Sequence, residues 1–263
     1  GDWDDGSTWS TGSVPQAAEH VIIADTHNVT IDTNSSVKSL TVNNGGTLTG
    51  NSSYSITITA EGTASYGTNG YAIRMHSGST LGTNVNLICN TNDSTLLVLN
   101  PSVGTLHNFT VSHPNTIAYL QANCNLAGNL SVTAGTFNTD TNDYSLTVAG
   151  NIDVDGGNIN INDSAVSCAK LIVESGDTIT AAHSSNALTV TGAGIGDNRS
   201  IDFTGDISGT LDIITTHTGT REDDLSANSG SINHLTVNHA SAVMRMNASA
   251  TVQNLTITAG QFQ

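Results

Sequence analysis

A short strand pattern of the form Leu-Thr-Val recurs along the chain and constrains its fold more than any other feature. In each copy the residues on either side of the third position, which is most often Thr, are apolar, and this is the alternation expected of a half-buried β-strand. The copies are SLTV at 39–42, SITI at 55–58, NLSV at 129–132, SLTV at 145–148, NIDV at 151–154, KLIV at 170–173, ALTV at 187–190, HLTV at 234–237 and NLTI at 254–257.

The spacing of these strands indicates a repeating structural unit. The intervals between apolar positions are 16 residues (Leu40 to Ile56 and Leu130 to Leu146), 17 (Leu171 to Leu188), 20 (Leu235 to Leu255) and 22 (Leu130 to Ile152). A coil of this length cannot bury its apolar side alone and must stack on copies of itself. The sequence therefore predicts an all-β parallel β-helix, or β-solenoid, with about a dozen coils of roughly 20–24 residues each. An antiparallel β-sandwich is the competing fold.

The first coil of a solenoid has no neighbour on one side, so its apolar end must be covered. We expect residues 1–19 to form a capping segment, with Trp3 and Trp9 over that end, and residues 20–263 to form the solenoid. The repeat is irregular near 60–125 and 192–230, where loops are expected. The sequence starts with Gly and stops just after a strand and a Gly turn, which suggests a cleaved leader or a longer native polypeptide.

Charge and composition exclude several classes of function. Six Lys and Arg face 22 Asp and Glu, giving a net charge of −16 that would repel a phosphate backbone, so a nucleic-acid partner is not expected. No apolar run is long enough to cross a bilayer. An acidic surface fits an extracellular, cell-surface or virion location. The cysteines Cys89, Cys124 and Cys168 are widely spaced and are expected to be small buried hydrophobes, with one disulfide and a free thiol as the alternative.

Two kinds of ligand site are candidates. Trp3 and Trp9 lie in an acidic, Gly/Ser-rich stretch and could stack on a sugar ring, although capping is the preferred role. The acidic groups could supply oxygen ligands to Ca²⁺, the one cofactor that the residues suggest; they are Asp2, Asp4 and Asp5 at the amino terminus and Asp153 and Asp155 on one strand face. Solvated acids are the simpler interpretation of both groups.

Two further patterns in the sequence are candidates for functional surfaces. Outward Thr pairs could form a flat ice-binding face, or could simply be solvent-facing strand residues; they are Thr57 and Thr59, Thr189 and Thr191, and Thr256 and Thr258. A glycan hydrolase or lyase would need convergent carboxylates, for which residues 221–224 (Arg-Glu-Asp-Asp) with Asp202 and Asp206 are the nearest candidates. Consecutive charges in a Ser/Gly context are more typical of a solvated loop tip, so no catalytic residue is assigned.

Two features of the sequence carry a resemblance to known proteins. One is the amino-terminal pattern Trp3…Trp9…Gly12…Pro15 followed by HVIIADTHNVTID at 20–32, and the other is the coil NLSVTAGTF…SLTVAGN at 129–151. The chain resembles Gly/Asn/Thr-rich β-solenoid regions of bacterial adhesins and of phage fibre or virion-surface proteins. The resemblance implies a non-enzymatic structural or adhesive role. We therefore expect self-association, as a filament or trimer, or binding of a surface glycan through an Asn/Thr-rich face. A glycan-active enzyme and an ice-binding protein are the alternatives.

Overall fold

The computed structural model describes residues 1–59, 71–82, 84–92, 94–98, 104–193, 199–246 and 249–263. The fold is all-β, and its parallel strands stack as a β-solenoid of about ten turns, so the predicted fold class is confirmed with somewhat fewer coils than the dozen expected. Two compact units are present and are described separately below. One comprises Gly1–Ala127 with Ala134–Thr136, and the other Gly128–Thr133 with Phe137–Gln263.

The N-terminal unit begins with a three-residue 3-10 helix, Gly6–Thr8, which is followed by β-strands. Its strands are β1 (His20–Ile23), β2 (Asn28–Thr30), β3 (Ser35–Val37), β4 (Ser39–Val42), β5 (Thr47–Thr49), β6 (Ser55–Ile58), β7 (Ile73–Met75), β8 (Thr80–Leu81), β9 (Asn86–Cys89), β10 (Ser94–Val98), β11 (Phe109–Leu120) and β12 (Cys124–Leu126).

Inward-facing apolar residues of this unit form continuous columns through parallel pairing. Each column has one residue per coil, so every side chain is buried by the copies above and below it. Three of these columns are Val21–Leu40–Ile73–Leu97–Leu120, Val37–Ile58–Cys89–Val111 and Val29–Leu48–Leu81. All of these side chains are buried.

The C-terminal unit repeats the same plan with longer strands towards its end. Its strands are β13 (Leu130–Asn138), β14 (Leu146–Val148), β15 (Asn151–Val154), β16 (Gly157–Asn162), β17 (Val166–Cys168), β18 (Lys170–Val173), β19 (Thr178–Ala182), β20 (Leu188–Val190), β21 (Ile201–Phe203), β22 (Asp206–Thr215), β23 (Gly219–Leu225), β24 (Ile232–Met246) and β25 (Val252–Phe262). Its main columns are Leu130–Ile152–Leu171–Ile201 and Leu146–Val166–Leu188–Ile213–Leu235–Leu255.

The registers show which of the sequence intervals measure a coil. The 22-residue and 20-residue intervals do, because Leu130 pairs with Ile152 and Leu235 with Leu255. The 16-residue interval does not, because Leu40 pairs with Val21 and Ile73 rather than with Ile56. The shorter intervals join strands on different faces of one coil, which carry the same alternating pattern.

The stretches expected to be loops contain regular strands where the structure describes them. Within 60–125 the strands β7–β12 continue the stack, and within 192–230 the strands β21–β23 do so. Residues 60–70, 83, 93, 99–103 and 194–198 of these stretches lie outside the described residues.

Asn and Asp side chains form hydrogen bonds from one coil to the next at strand ends and in the loops beside them. Asn108 Nδ2 donates to Asn86 Oδ1 at 3.0 Å, and Asn162 Nδ2 donates to Asn138 Oδ1 at 3.2 Å. Asp163 accepts hydrogen bonds from the turn one coil further along, as shown below. Much of the Asn content therefore serves stacking.

Cys89, Cys124 and Cys168 are all buried, as expected for small core residues, and no disulfide joins any two of them, contrary to the alternative. In the described part of the chain, no helix has the length and hydropathy needed to cross a membrane.

Candidate functional site: a cleft at the N-terminal segment

The N-terminal segment is fixed to the outer edge of β2 by main-chain hydrogen bonds. The amino group of Gly1 donates to the Asn28 carbonyl at 2.7 Å, and the Trp3 N–H donates to the Thr30 carbonyl at 2.8 Å. The Thr30 N–H in turn donates to the Gly1 carbonyl at 3.0 Å. These bonds satisfy edge groups that would otherwise be unpaired.

The same bonds place the two tryptophans together. Trp3 has no exposed surface, whereas Trp9 is half-buried. Their rings meet edge to face, with centroids 5.0 Å apart and planes at 71°, and Trp9 Nε1 donates to the Trp3 carbonyl at 2.9 Å. The buried position of Trp3 is what a capping segment requires. Of the two candidate sugar-stacking residues, only Trp9 has a ring surface that a ligand could reach.

A cleft of about 630 Å³ lies between the Trp9 segment and β1. This volume falls within the roughly 300–1,000 Å³ typical of small-molecule sites. It combines apolar surface with hydroxyl, imidazole, amide and carboxylate groups. The lining residues are Gly1, Asp5, Ser7, Thr8, Trp9, Ser10, Ile22, Ile23, Ala24, Thr26, His27, Asn28 and Val29.

The three N-terminal aspartates, Asp2, Asp4 and Asp5, each make different contacts. Asp5 accepts from the Ser7 N–H and the Ser7 hydroxyl, both at 2.8 Å, and these bonds hold the pKa of its carboxyl below the usual range. Asp4 lies beside Asp32, and hydrogen bonding to that side chain together with repulsion from its charge raises the pKa of Asp4. Asp2 forms a main-chain bridge with Thr30. The arrangement places Asp5, but not Asp4, in the cleft lining.

The second acidic pair lies in the C-terminal unit within a larger acidic patch. Burial is the main cause that raises the pKa of Asp153, with a further contribution from the charge of Asp155. Asp177 is buried and accepts from the Gly156 N–H at 2.8 Å, and Glu174 has its pKa raised chiefly by Asp155. Among the residues that the structure describes, no three His, Cys, Asp or Glu side chains converge as metal ligands. Calcium binding by either acidic group therefore stays a prediction.

The predicted threonine pairs are divided between the two units. Thr57 lies on β6 in the N-terminal unit, where it pairs with Ser36 and Ile88. Thr189 and Thr256 do lie on one outward row, but an isoleucine and a serine also occupy it. In coil order the row is Ser167, Thr189, Ile214, Thr236, Thr256.

The second residues of these pairs have different surroundings. The hydroxyls of Thr59 and Thr191 donate to main-chain carbonyls of Ala17 and Cys168, at 2.9 and 3.2 Å. Thr258 is exposed on β25. Within the C-terminal unit, the predicted threonines therefore do not form an uninterrupted threonine face.

The charged quartet at 221–224 lies in strand β23, not at a solvated loop tip as the sequence indicated. Asp223 is fully buried, and its Oδ1 accepts from the N–H groups of Ser200 and Ile201 and from the Ser200 hydroxyl, each at 2.8 Å. Its Oδ2 lies 3.9 Å from Nε2 of His217, which is equally buried.

Burial raises the pKa of Asp223 and lowers the pKa of His217, so both shifts favour the neutral forms. Neither side chain has surface that a substrate could reach, and the bonds to Ser200 and Ile201 attach β23 to the start of β21. The other two candidate acids are bound nearby: Asp202 pairs with Arg199 at 2.9 Å, and Asp206 accepts from Asn228 at 2.9 Å.

Comparison with known proteins adds one similarity. The family profile of the G8 domain matches residues 8–80, from just before Trp9 through β7 and into the start of β8. This is well under half of the chain, but it includes most of the cleft lining. No curated protein and no solved structure matches the sequence.

Proposed function

We propose that this chain is a non-enzymatic structural and adhesive protein of an extracellular filament, cell-surface adhesin or phage appendage. In this role it associates with copies of itself and binds a surface glycan. The observation that carries the proposal is that polar side chains form hydrogen bonds between successive coils of the stack. Asn and Asp groups that could form an outward site instead bind the neighbouring coil, as Asn108 does to Asn86.

Self-association is the second part of the proposal. Strand edges with unpaired N–H and C=O groups favour pairing with another chain. In light-scattering measurements, we expect the wild-type protein to form oligomers. Monomeric wild-type protein at all concentrations would contradict this part of the proposal.

Glycan binding is tested by sedimenting the protein with insoluble polysaccharides and with whole bacterial cells. Retention on a neutral polysaccharide without release of reducing ends supports the adhesive role. Release of reducing ends would support the alternative of a glycan-active enzyme, and thermal hysteresis would support ice binding. Ile214 weighs against ice binding, because it interrupts the row of stacked threonines that a flat ice-binding face would use.

A further inference from the structure

One wall of the cleft is an open strand edge. The Ile23 carbonyl accepts from the Asn43 N–H at 2.9 Å, so Ile23 bonds towards β4. Because successive residues of a parallel strand direct their main-chain groups to opposite sides, the N–H and C=O of Ile22 face away from β4. The Ile22 side chain is 59% exposed and lines the cleft. This wall therefore offers a main-chain donor, a main-chain acceptor and an apolar surface.

The opposite wall is built around the Trp9 indole. Its Nε1–H already donates to the Trp3 carbonyl, and its position is fixed by the edge-to-face contact with Trp3. The polar edge of the ring is thus satisfied, and what Trp9 adds to the cleft is apolar ring surface. An indole held by a second indole is a rigid platform that loses little entropy when a ligand binds.

Hydrogen-bonding groups lie between the two walls. His27 Nδ1 lies 2.8 Å from the Asp25 carbonyl, and since a carbonyl only accepts, Nδ1 carries the proton and Nε2 of the neutral ring is an acceptor. Asn28 is exposed in the lining and its amide offers both a donor and an acceptor. The Ser7 and Thr8 hydroxyls already donate, to Asp5 Oδ2 and to the Asp2 carbonyl, so towards a ligand they accept.

We propose that this cleft binds a neutral pyranose oligosaccharide. A pyranose has one face of C–H groups, which matches the Trp9 ring and the Ile22 side chain, and a rim of hydroxyls, which matches His27 and Asn28. The lining offers both hydrogen-bond acceptors and donors, as suits a ligand whose hydroxyl groups donate and accept. The ionised Asp5 carboxylate and the net charge of −16 repel anionic sugars. The inference rests on the proposed adhesive function and gives its glycan a site and a chemical class.

The two tryptophans of the chain are both at this site, so their fluorescence reports on it directly. Titration with tetrasaccharides of glucose and of N-acetylglucosamine should change the emission saturably for at least one of them, whereas a galacturonic acid tetramer should not. The Ile22→Arg variant places a long side chain in the cleft from an exposed position, so its fold should be retained. We expect it to weaken binding at least tenfold. Ala182→Arg is the matched control, because Ala182 is an exposed apolar residue at the end of β19 in the other unit, and it should bind as wild type does.

The result that overturns the inference is an unchanged emission up to high millimolar concentrations of both neutral probes, or equal binding by wild-type and Ile22→Arg protein. A response to an extended peptide in place of the sugars would assign the open edge of β1 to strand addition and would also overturn it. Binding to whole cells that persists in Ile22→Arg would contradict the cleft assignment while leaving the adhesive function intact. If wild-type protein binds neither the tetrasaccharides nor whole cells, the glycan-binding part of the proposed function is contradicted as well.

Discussion

Replacement of Trp3 by alanine tests whether the N-terminal segment closes the first coil. The indole has no exposed surface, and removing a buried Trp or Phe side chain costs about 3–5 kcal/mol. Its edge-to-face contact with Trp9 contributes about 0.5–1.5 kcal/mol beyond burial. We therefore expect the N-terminal coil to lose at least about 3 kcal/mol of local stability.

The loss should be local because each coil of a solenoid contacts only its neighbours. A change of about 3 kcal/mol corresponds to roughly a hundredfold rise in the population of the open state. Hydrogen exchange followed by mass spectrometry should show this rise in peptides covering β1 and β2. A peptide covering β17 in the C-terminal unit serves as the internal reference and should exchange at its original rate.

Trp3→Phe separates packing from hydrogen bonding. Trp3 Nε1 is buried and has no hydrogen-bond partner, and an unsatisfied donor of this kind costs about 1–3 kcal/mol. Phenylalanine removes that donor and keeps most of the ring, so its effect on exchange should be far smaller than that of alanine. If β1 and β2 keep their protection in Trp3→Ala, the segment does not cap the coil and the reasoning fails.

Three further changes have defined outcomes. Asp163 accepts four hydrogen bonds from the turn that starts at Ser184, and these hold the pKa of its carboxyl well below the usual range. The folded state therefore binds a proton at this carboxyl less tightly than the unfolded state does. The resulting stabilisation is present above the usual pKa of 3.8 and is lost as the pH falls below it. Asp163→Ala should lower the urea midpoint at pH 7 and flatten this dependence of stability on acid pH. Burial lowers the pKa of His183, so the stability of the folded state should fall as the pH drops through the ordinary histidine pKa of 6.5. The His183→Asn variant keeps a hydrogen-bond acceptor but cannot gain the proton. It should therefore show a smaller difference between the urea midpoints at pH 7.5 and 5.5. Burial raises the pKa of the Cys124 and Cys168 thiols to about 12, so iodoacetamide should label neither in native protein and both in urea, and labelling at native pH 8 would contradict their core positions.

The sequence was sufficient to predict the fold class because stacking requires a one-coil repeat of apolar residues. The interval between Leu235 and Leu255 is a true coil and was readable directly. The interval between Leu40 and Ile56 was not a coil, because the separate faces of one coil carry the same alternation of apolar and polar residues. Local pattern alone does not state which strand stacks on which.

The position of Asp223 could not be predicted for a related reason. Four consecutive charged or polar residues are usually solvated, but Asp223 receives three hydrogen bonds from Ser200 and Ile201, which are 23 and 22 residues earlier. The donors that make its burial tolerable come from the preceding coil. No local signal in residues 221–224 indicates them.

The candidate site was predicted only in part. The tryptophans stood out because they are the only two in the chain, whereas His27 and Asn28 lie in an ordinary strand and turn. They become part of a cleft because Gly1 and Trp3 bond to β2 and bring the N-terminal segment alongside. That pairing depends on main-chain groups, which carry no sequence signature.

Stacking also explains why the polar residues of this chain are so often amides. Identical positions of successive coils lie about 4.8 Å apart, where two carboxylates repel one another. An Asn carries both a donor and an acceptor, so a pair such as Asn138 and Asn162 is self-complementary at that distance. Asp163 is tolerated because its partners are N–H and hydroxyl groups of a turn rather than another carboxylate. Where such side chains bind the next coil they are not available to a ligand, which is why we place the proposed ligand site at an uncovered strand edge, beside Ile22.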